Sequence, residues 1–206
     1  MEIMLNPKLR KTMGLRAREF AEKNDIMKPR ILFVAWHPYT VSWVRRDSDI
    51  LKKNSVVEVV RCVRPTDALK ILVKMPRVDL SFVWFGGKAA AATVFFSKLL
   101  GKKSIVVAAG ADVARVPEIG YGTTLHSVEK FFVQISLRYA DVVLAVSEST
   151  KREMLAHYDV DPAKVRVADR SNGSDKYRPK GKKEEWELTV GAVSWGTLPK
   201  KGLEPF

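Results

Sequence analysis

The sequence predicts an α/β fold with a doubly wound, mostly parallel, Rossmann-like sheet. Continuous apolar runs such as residues 31–36 are typical of strands that are buried on both faces. Each such run is followed by a segment in which apolar residues recur at helical spacing. Right-handed crossovers between these units place helices on both faces of a parallel sheet. One domain is therefore expected over residues 30–170.

In the first half of this domain, local signals set the ends of the elements. Pro65-Thr66-Asp67 opens a short helix, since proline fits the first helical turn. Gly86 and Gly87 form a turn before the next helix, and Gly101 caps the end of that helix. The strands are expected at 31–36, 56–63 and 80–85, and the helices at 42–53, 65–74 and 88–100.

The second half of the domain contains a long loop over 110–124. Thr150 and Glu153 match a capping box, which predicts a helix that begins at Thr150 and ends near His157. A further helix follows from apolar residues at helical spacing up to Tyr139. The strands are expected at 104–109, 142–146 and 164–168, and the helices at 125–139 and 150–157.

Residues 1–29 predict a basic amphipathic helix ahead of the domain. Asn6 is a suitable N-cap, and Pro7 fits the first helical position. An apolar stripe lies opposite a basic face, so the helix either packs on the domain or lies on an anionic membrane surface. The apolar stripe is Leu9, Met13, Ala17 and Phe20, and the basic face is Lys8, Arg10, Lys11, Arg16 and Arg18.

The composition limits the classes of partner and site. The 206 residues carry a net charge of +13, which indicates either an anionic partner or a solvated basic surface. The single cysteine, Cys62, excludes an internal disulfide and a cysteine-rich zinc site, and its apolar neighbours predict a buried core position. The histidines His37, His126 and His157 are isolated, so no metal site is expected. No segment reaches the about 20 apolar residues that span a bilayer, and no signal peptide is visible. We expect a cytoplasmic protein.

In a doubly wound domain, ligands bind beyond the carboxyl ends of the strands. The turn Gly86-Gly87-Lys88 either receives a phosphate or carboxylate at a helix N-terminus or serves only as a tight turn. His37 is either a general base or an ordinary loop histidine. Ser147 either faces the cleft or caps a helix. The loops at this edge are expected at 37–42, 86–88, 110–121, 147–149 and 171–173.

Residues 171–186 have the composition of an interdomain linker, and a second domain is expected to start at 187. Asn172-Gly173-x-Asp175-x-x-x-Pro179 is followed by a charged run, by Val190-Gly191 and by Lys201-Gly202. This pattern resembles the domain junction of GT-B glycosyltransferases of the family-4, or group 1, type. The segment from Asn6 to Glu22 is similar to the C-terminal helix of the same enzymes.

The resemblance implies roles for several residues. Ala109-Gly110-Ala111-Asp112 is similar to the His-Gly-x-Asp motif of the family, with Ala109 in place of the histidine. Asp112 either hydrogen-bonds an acceptor hydroxyl or holds the loop. The strand from Ala140 to Ser147 also matches the family pattern. Gly86, Gly87, Lys88, Gly110, Asp112, Ser147, Asn172 and Gly173 are the expected substrate-binding residues, His37 and Asp112 are the catalytic candidates, and Lys201 is expected to contact the donor diphosphate.

The resemblance implies transfer of a sugar from a nucleotide-sugar donor to an acceptor hydroxyl, without a cofactor or metal. We expect the chain to be incomplete and inactive alone, because Ala192 stands where an arginine is usual and the later donor-binding motif is absent. A lipid-linked acceptor and peripheral contact with an anionic membrane would agree with the charge. The alternative is a non-catalytic basic module that binds nucleic acid or a protein, although nucleic acid is disfavoured because the aromatic residues lie mainly in predicted strands. A nicotinamide-dependent dehydrogenase lacks its Gly-x-Gly-x-x-Gly turn, since His37-Pro38-Tyr39 stands there instead.

Overall fold

The computed structural model describes residues 28–36 and 42–168. These residues form a six-stranded sheet in the order β2-β1-β3-β4-β5-β6, and every neighbouring pair is parallel. The strands are β1 (Arg30–Trp36), β2 (Val56–Cys62), β3 (Leu80–Trp84), β4 (Lys103–Ala108), β5 (Val142–Ala145) and β6 (Val165–Val167). The helices are α1 (Ser42–Asn54), α2 (Ala68–Lys74), α3 (Lys88–Leu99), α4 (Ser127–Tyr139) and α5 (Glu148–His157). The predicted α/β, doubly wound fold class is confirmed.

Three predicted segments lie outside the described residues. They are the N-terminal helix over 1–29, except its last two residues, the linker over 171–186, and the start of a second domain over 187–206. The boundaries of these segments therefore stay predictions. Within the described part, each of the six strands begins and ends within one residue of its predicted position.

The order of the strands creates one point at which the direction of winding reverses. From β1 the chain moves to one side to form β2, and it then returns to the other side of β1 to form β3 to β6. Because parallel crossovers are right-handed, α1 covers one face of the sheet and α2 to α5 cover the other. The crevice beyond β1 and β3 is consequently the expected ligand position.

The two faces of the sheet bury separate apolar clusters. Along β1, Leu32 and Val34 join the cluster beneath α2 to α5, whereas Phe33 points into the cluster on the α1 side. All three side chains are completely buried. The Phe33 ring stacks on Phe82 of β3, with the ring centroids 5.5 Å apart. Burial on both faces explains why the strand sequences are apolar at successive positions. Cys62 is also buried in the core, as predicted.

The predicted start of α5 was wrong by two residues. Ser147, with an extended backbone, is the N-cap, because its hydroxyl accepts the Thr150 N–H at 3.1 Å. Thr150 lies inside the first turn, where its side chain is buried and its hydroxyl is 3.0 Å from that of Ser147. The capping box read at Thr150 and Glu153 is therefore not the start of the helix. Ser147 supplies the same chemistry three residues earlier.

Asp141 connects three elements at the amino end of the sheet. Its carboxylate accepts the Ser104 N–H and hydroxyl, both at 3.0 Å, and pairs with Lys98 at 3.0 Å and Lys103 at 3.2 Å. Burial alone would raise the pKa of Asp141, but the hydrogen bonds from Lys98, Ser104 and Lys103 outweigh it and lower the pKa to about 2. The ionised carboxylate thus joins α3, β4 and the start of β5.

Replacement of Asp141 by asparagine should lower the free energy of unfolding at neutral pH by about 1–3 kcal/mol, the scale of hydrogen bonds to a charged group. The lowered pKa means that the parent gains this stability above its unfolded-state pKa of about 4 and loses it as the pH falls toward about 2. Urea denaturation from pH 7 to pH 2 should show that the parent and Asp141→Asn become closer in their free energies of unfolding. Asp49→Asn is the control, since Asp49 forms only an exposed pair with Lys52 and should cost less than about 1 kcal/mol. A difference that does not change with pH would contradict the role given to Asp141.

Candidate functional site

The candidate site lies at the carboxyl edge of the sheet, where β3, β4 and β5 lead into their loops. The described parts of this edge are the turn 85–88 after β3, the loop 109–124 after β4 and Ser147 after β5. These loops contain six of the eight predicted substrate-binding residues. His37, Asn172, Gly173 and Lys201 lie outside the described residues, so their predicted roles stay predictions.

The turn after β3 has an unusual backbone. Phe85 has a φ of +68°, and it is the only non-glycine residue with a positive φ among those the structure describes. Its N–H donates to the Val107 carbonyl at 2.9 Å, and its ring lies 5.5 Å from that of Trp84. A left-handed conformation at a bulky residue is strained and persists where the surroundings impose it. Here the conformation turns the next peptide, Gly86, toward the loop after β4.

Asp112 joins the two loops. One carboxylate oxygen accepts the Gly86 N–H at 2.8 Å, and the other accepts the Ala109 N–H at 2.9 Å. The residue is only 3% exposed. Burial raises the pKa of Asp112, and the backbone N–H groups of Gly86 and Ala109 act in the opposite direction. Between its two predicted roles, this geometry favours the one that holds the loop in place.

The loop after β4 folds back on itself next to Asp112. The Gly110 carbonyl accepts the N–H groups of Val113 and Ala114 at 2.9 and 2.7 Å. Gly122 has a φ of +117°, and a Cβ at this position would lie 1.9 Å from the Ala114 oxygen. Thr124 donates its hydroxyl to the same oxygen at 2.7 Å. The close backbone approach requires glycine at position 122, and it makes the loop a compact wall of the site.

A tyrosine lies beneath this loop. Tyr158, which follows α5, is almost fully buried, and burial raises the pKa of its phenol. The nearby negative charge of Asp112 acts in the same direction, and the phenol oxygen has no hydrogen-bond partner among the described residues. The Arg115 N–H donates to the Glu153 carboxylate of α5 at 3.3 Å. The loop is thereby attached to α5 as well as to β3.

Lys88 begins α3 and is held by α4. Its ammonium pairs with the Glu129 carboxylate and lies 5.9 Å from the centre of the Phe132 ring. Gly87 precedes it as the N-cap, with a φ of +134° that suits glycine. A Cβ on Gly87 would lie 4.0 Å from Glu129, so this carboxylate is close to the start of α3. The Lys88 side chain remains more than half exposed.

The electrostatics of this turn differ from those of a phosphate site. An anion at a helix N-terminus is stabilised by free N–H groups and by the helix dipole. Here the Gly86 N–H is already bound to Asp112, and Lys88 is already paired with Glu129. These two carboxylates oppose an anion at Gly86 and Lys88, whereas the first N–H groups of α3 carry no side-chain cap. Chemically, the turn suits a neutral ligand whose hydroxyls donate to a carboxylate or accept from Lys88.

Several features of the site were not predicted from the sequence. Glu129 and Phe132 were read only as part of a helix, although an acidic residue in the first turn of a helix is a recognisable signal. The strain at Phe85 and the position of Tyr158 beneath the loop have no local sequence signal. Within the described ranges, no three His, Cys, Asp or Glu side chains come together as a metal site would require. No helix in the same ranges is long and apolar enough to cross a membrane.

No protein-family model matches the sequence, and no curated protein is detectably similar to it. Solved structures align weakly with this fold. The UDP-GlcNAc 2-epimerase from Methanocaldococcus jannaschii has a TM-score of 0.49 at 12% identity over 67% of this chain and 45% of that one. MnaA from S. aureus, solved with UDP, has a TM-score of 0.47 at 12% identity over 72% of this chain and 51% of that one. The UDP-GlcNAc 2-epimerase from Neisseria meningitidis, bound to UDP-GlcNAc, has a TM-score of 0.47 at 11% identity over 67% of this chain and 45% of that one.

The chain spans about half the length of these structures, or slightly less. They contain a similar arrangement of helices and strands, but the likeness is too slight to bear on the activity of this chain.

Replacement of Asp112 by alanine should lower the free energy of unfolding by about 3 kcal/mol, since two N–H groups lose their acceptor in a buried place. Asp159→Ala is the matched control. The Asp159 side chain is 74% exposed, and its pair with Arg138 at 2.8 Å should contribute less than about 1 kcal/mol. Chemical denaturation of both variants and of the parent measures the free energies of unfolding. Equal, small losses would mean that Asp112 does not hold the two loops together.

Proposed function

We propose that this chain supplies the acceptor-side domain of a GT-B glycosyltransferase. The reaction would transfer a sugar from a nucleotide-sugar donor to a hydroxyl of the acceptor. The described domain binds the acceptor at the carboxyl edge of the sheet. The donor binds to the second domain, which the sequence pattern predicts from residue 187 onward.

The observation that supports this division is the charge distribution at the turn after β3. Asp112 binds the Gly86 N–H, and Glu129 pairs with Lys88, so a nucleotide diphosphate would meet two carboxylates there. An acceptor sugar has no such conflict, because its hydroxyls are neutral donors and acceptors. The half-exposed Lys88 and the partly exposed Glu129 are the side chains that we assign to hydroxyl binding.

Asp112 is a positioning residue in this proposal. Both of its oxygens accept backbone N–H groups, and it lies beneath the surface of the cleft. It fixes Gly86 and Gly110 where their backbone can contact the acceptor. The general base that takes the proton of the attacking hydroxyl is then His37, which the sequence places after β1 beside the winding reversal.

The donor half of the reaction rests on the sequence resemblance. Asn172-Gly173 and Pro179 match the junction that leads into a donor domain, and Lys201 matches the residue that contacts the diphosphate. Binding of donor and acceptor between two domains contributes to catalysis by bringing the reactants together. Cationic groups and helix N-termini stabilise the leaving diphosphate, so the chemistry needs neither metal nor cofactor.

The basic charge also supports a lipid-linked acceptor at the cytoplasmic face of a membrane. A cation-rich protein is attracted to anionic headgroups, which would bring the site to a substrate held in the bilayer. The second candidate function, a non-catalytic binding module, would use the same basic surface without any role for the cleft. The two functions differ in whether a small neutral ligand contacts the turn after β3.

Amide chemical shifts in a ¹⁵N-labelled chain test this difference. We expect methyl glycosides, used as probes of acceptor binding, to shift the amide signals of Gly87, Lys88 and Gly110 in a saturable way. UDP should leave these three signals unchanged, because Asp112 already accepts the Gly86 N–H and Glu129 already pairs with Lys88. Lys88→Gln should weaken the glycoside effect, and Lys151→Gln, a change on α5 outside the turn, is the matched control.

A saturable shift of the same signals by UDP would place phosphate recognition at this turn and contradict the proposal. Absence of any glycoside effect across gluco, galacto and manno probes would instead favour the non-catalytic module.

A further inference from the structure

The helices that cover one face of the sheet present large apolar side chains to solvent. Six such residues on α2, α3 and α4 are each at least 60% exposed. By contrast, α5 lies on the same face of the sheet and has no exposed large apolar side chain among its described residues. The six residues are Leu69 and Val73 on α2, Phe95 and Leu99 on α3, and Val128 and Phe131 on α4. We call them the outer helical face.

The spacing of these residues shows that they form stripes along neighbouring helices. Leu69 and Val73 are four apart, as are Phe95 and Leu99, and Val128 and Phe131 are three apart. α3 packs against both α2 and α4. The opposite sides of the same helices, represented by Ile71, Val94 and Val133, are buried in the core. The stripes lie on neighbouring helices, with Phe95 and Leu99 toward the end of α3 and Val128 and Phe131 at the start of α4. They point away from the core, where the fold of the described domain does not need apolar residues.

The outer helical face is surrounded by positive charge. Asp159, which pairs with Arg138, is exposed, but the acidic side chains that pair with lysines are turned inward: Asp67 is 9% exposed, Asp141 is 18% exposed and Glu129 is 33% exposed. The lysines that pair with them extend outward and are about half exposed or more. The basic residues on α2 to α4 and on the turns at their carboxyl ends are Lys70, Lys74, Arg77, Lys88, Lys98, Lys102, Lys103, Lys130 and Arg138.

This charge limits what can cover the face. The predicted helix over 1–29 is itself basic, and a second copy of the chain would bring a second set of the same cations. A nucleic acid would match the charge, but it would leave the leucines and valines of the stripes without a function. A surface that is both apolar and anionic satisfies both observations, and a bilayer with anionic headgroups is such a surface.

We propose that the outer helical face docks on a membrane that contains anionic lipids. Phe95, Leu99 and Phe131 enter the boundary between headgroups and acyl chains, and the surrounding lysines and arginines contact the headgroups. Lysine and arginine side chains suit this position because their long aliphatic stems pack on apolar surface while their charges stay in water.

The face also reaches the candidate site. Val128 and Phe131 lie in the first turns of α4, and in the same turns Glu129 and Phe132 contact Lys88. A docked domain would therefore hold the turn after β3 close to the membrane surface. Delivery of a lipid-linked acceptor to that turn rests on the proposed function, whereas docking itself does not depend on it.

Flotation of the full 206-residue chain with lipid vesicles tests the proposal. The vesicles contain phosphatidylcholine alone, or phosphatidylcholine with part replaced by phosphatidylglycerol. We expect flotation with the anionic vesicles only, decreasing as salt screens the attraction. The double variant Phe95→Ala with Leu99→Ala should bind at least about tenfold more weakly, since burial of each apolar side chain contributes about a factor of ten or more.

Matched variants separate this face from the rest of the chain. Ile50→Ala with Val63→Ala removes two apolar side chains that are exposed elsewhere, and it should float as the parent does. Alanine keeps the helical propensity, so circular dichroism should confirm that both variants are folded.

Several outcomes would overturn the proposal. One is equal flotation of the parent and the Phe95/Leu99 variant, and another is equal binding to neutral vesicles. A third is loss of binding only in Phe20→Ala, which would assign the membrane to residues 1–29. The face would be assigned to another partner if the parent did not bind vesicles but formed a dimer, or a complex with a single-stranded oligonucleotide, and the Phe95/Leu99 variant lost that association. Because the readout is flotation, failure here leaves the glycoside test of the cleft unaffected.

Discussion

One buried carboxylate organises the functional edge of this domain. Asp112 joins the loops after β3 and β4 by accepting the N–H groups of Gly86 and Ala109. The strained backbone of Phe85 delivers the first of these N–H groups. Both N–H groups are part-buried donors that would otherwise lack this acceptor, and leaving such donors unpaired costs free energy. The shape of the cleft wall therefore depends on this side chain.

In the proposed function, the same interaction sets which ligands the cleft accepts. With Asp112 bound at Gly86 and Glu129 paired with Lys88, the start of α3 already has its counter-charges. On the outer helical face, lysines project around exposed apolar side chains. The proposed binding of neutral hydroxyls in the cleft and the proposed binding of anionic headgroups on the helices would both follow from this charge distribution. This separation agrees with an acceptor domain that works beside a distinct donor domain.

The fold was predictable from the sequence because its signals are local and periodic. Runs such as Ile31 to Trp36 are apolar at every position only where both faces of a strand are buried. The function of single polar residues was less predictable, because it depends on contacts between distant segments. Gly86 and Asp112 are 26 residues apart, and Lys88 and Glu129 are 41 apart, so neither pairing has a sequence signal. At α5, Ser147 and Thr150 offered the same capping chemistry, and only burial of Thr150 decides between them.

Hydrogen exchange at the two amides bound to Asp112 tests the central claim most directly. If the carboxylate holds both loops, the Gly86 and Ala109 amides should exchange as slowly as that of Phe85, which pairs with Val107 at the sheet edge. In Asp112→Ala, exchange of both amides should become fast, while the amides of β1 and β3 stay protected from exchange. Rapid exchange of Gly86 and Ala109 in the parent, at the rate of exposed turns, would contradict the claim.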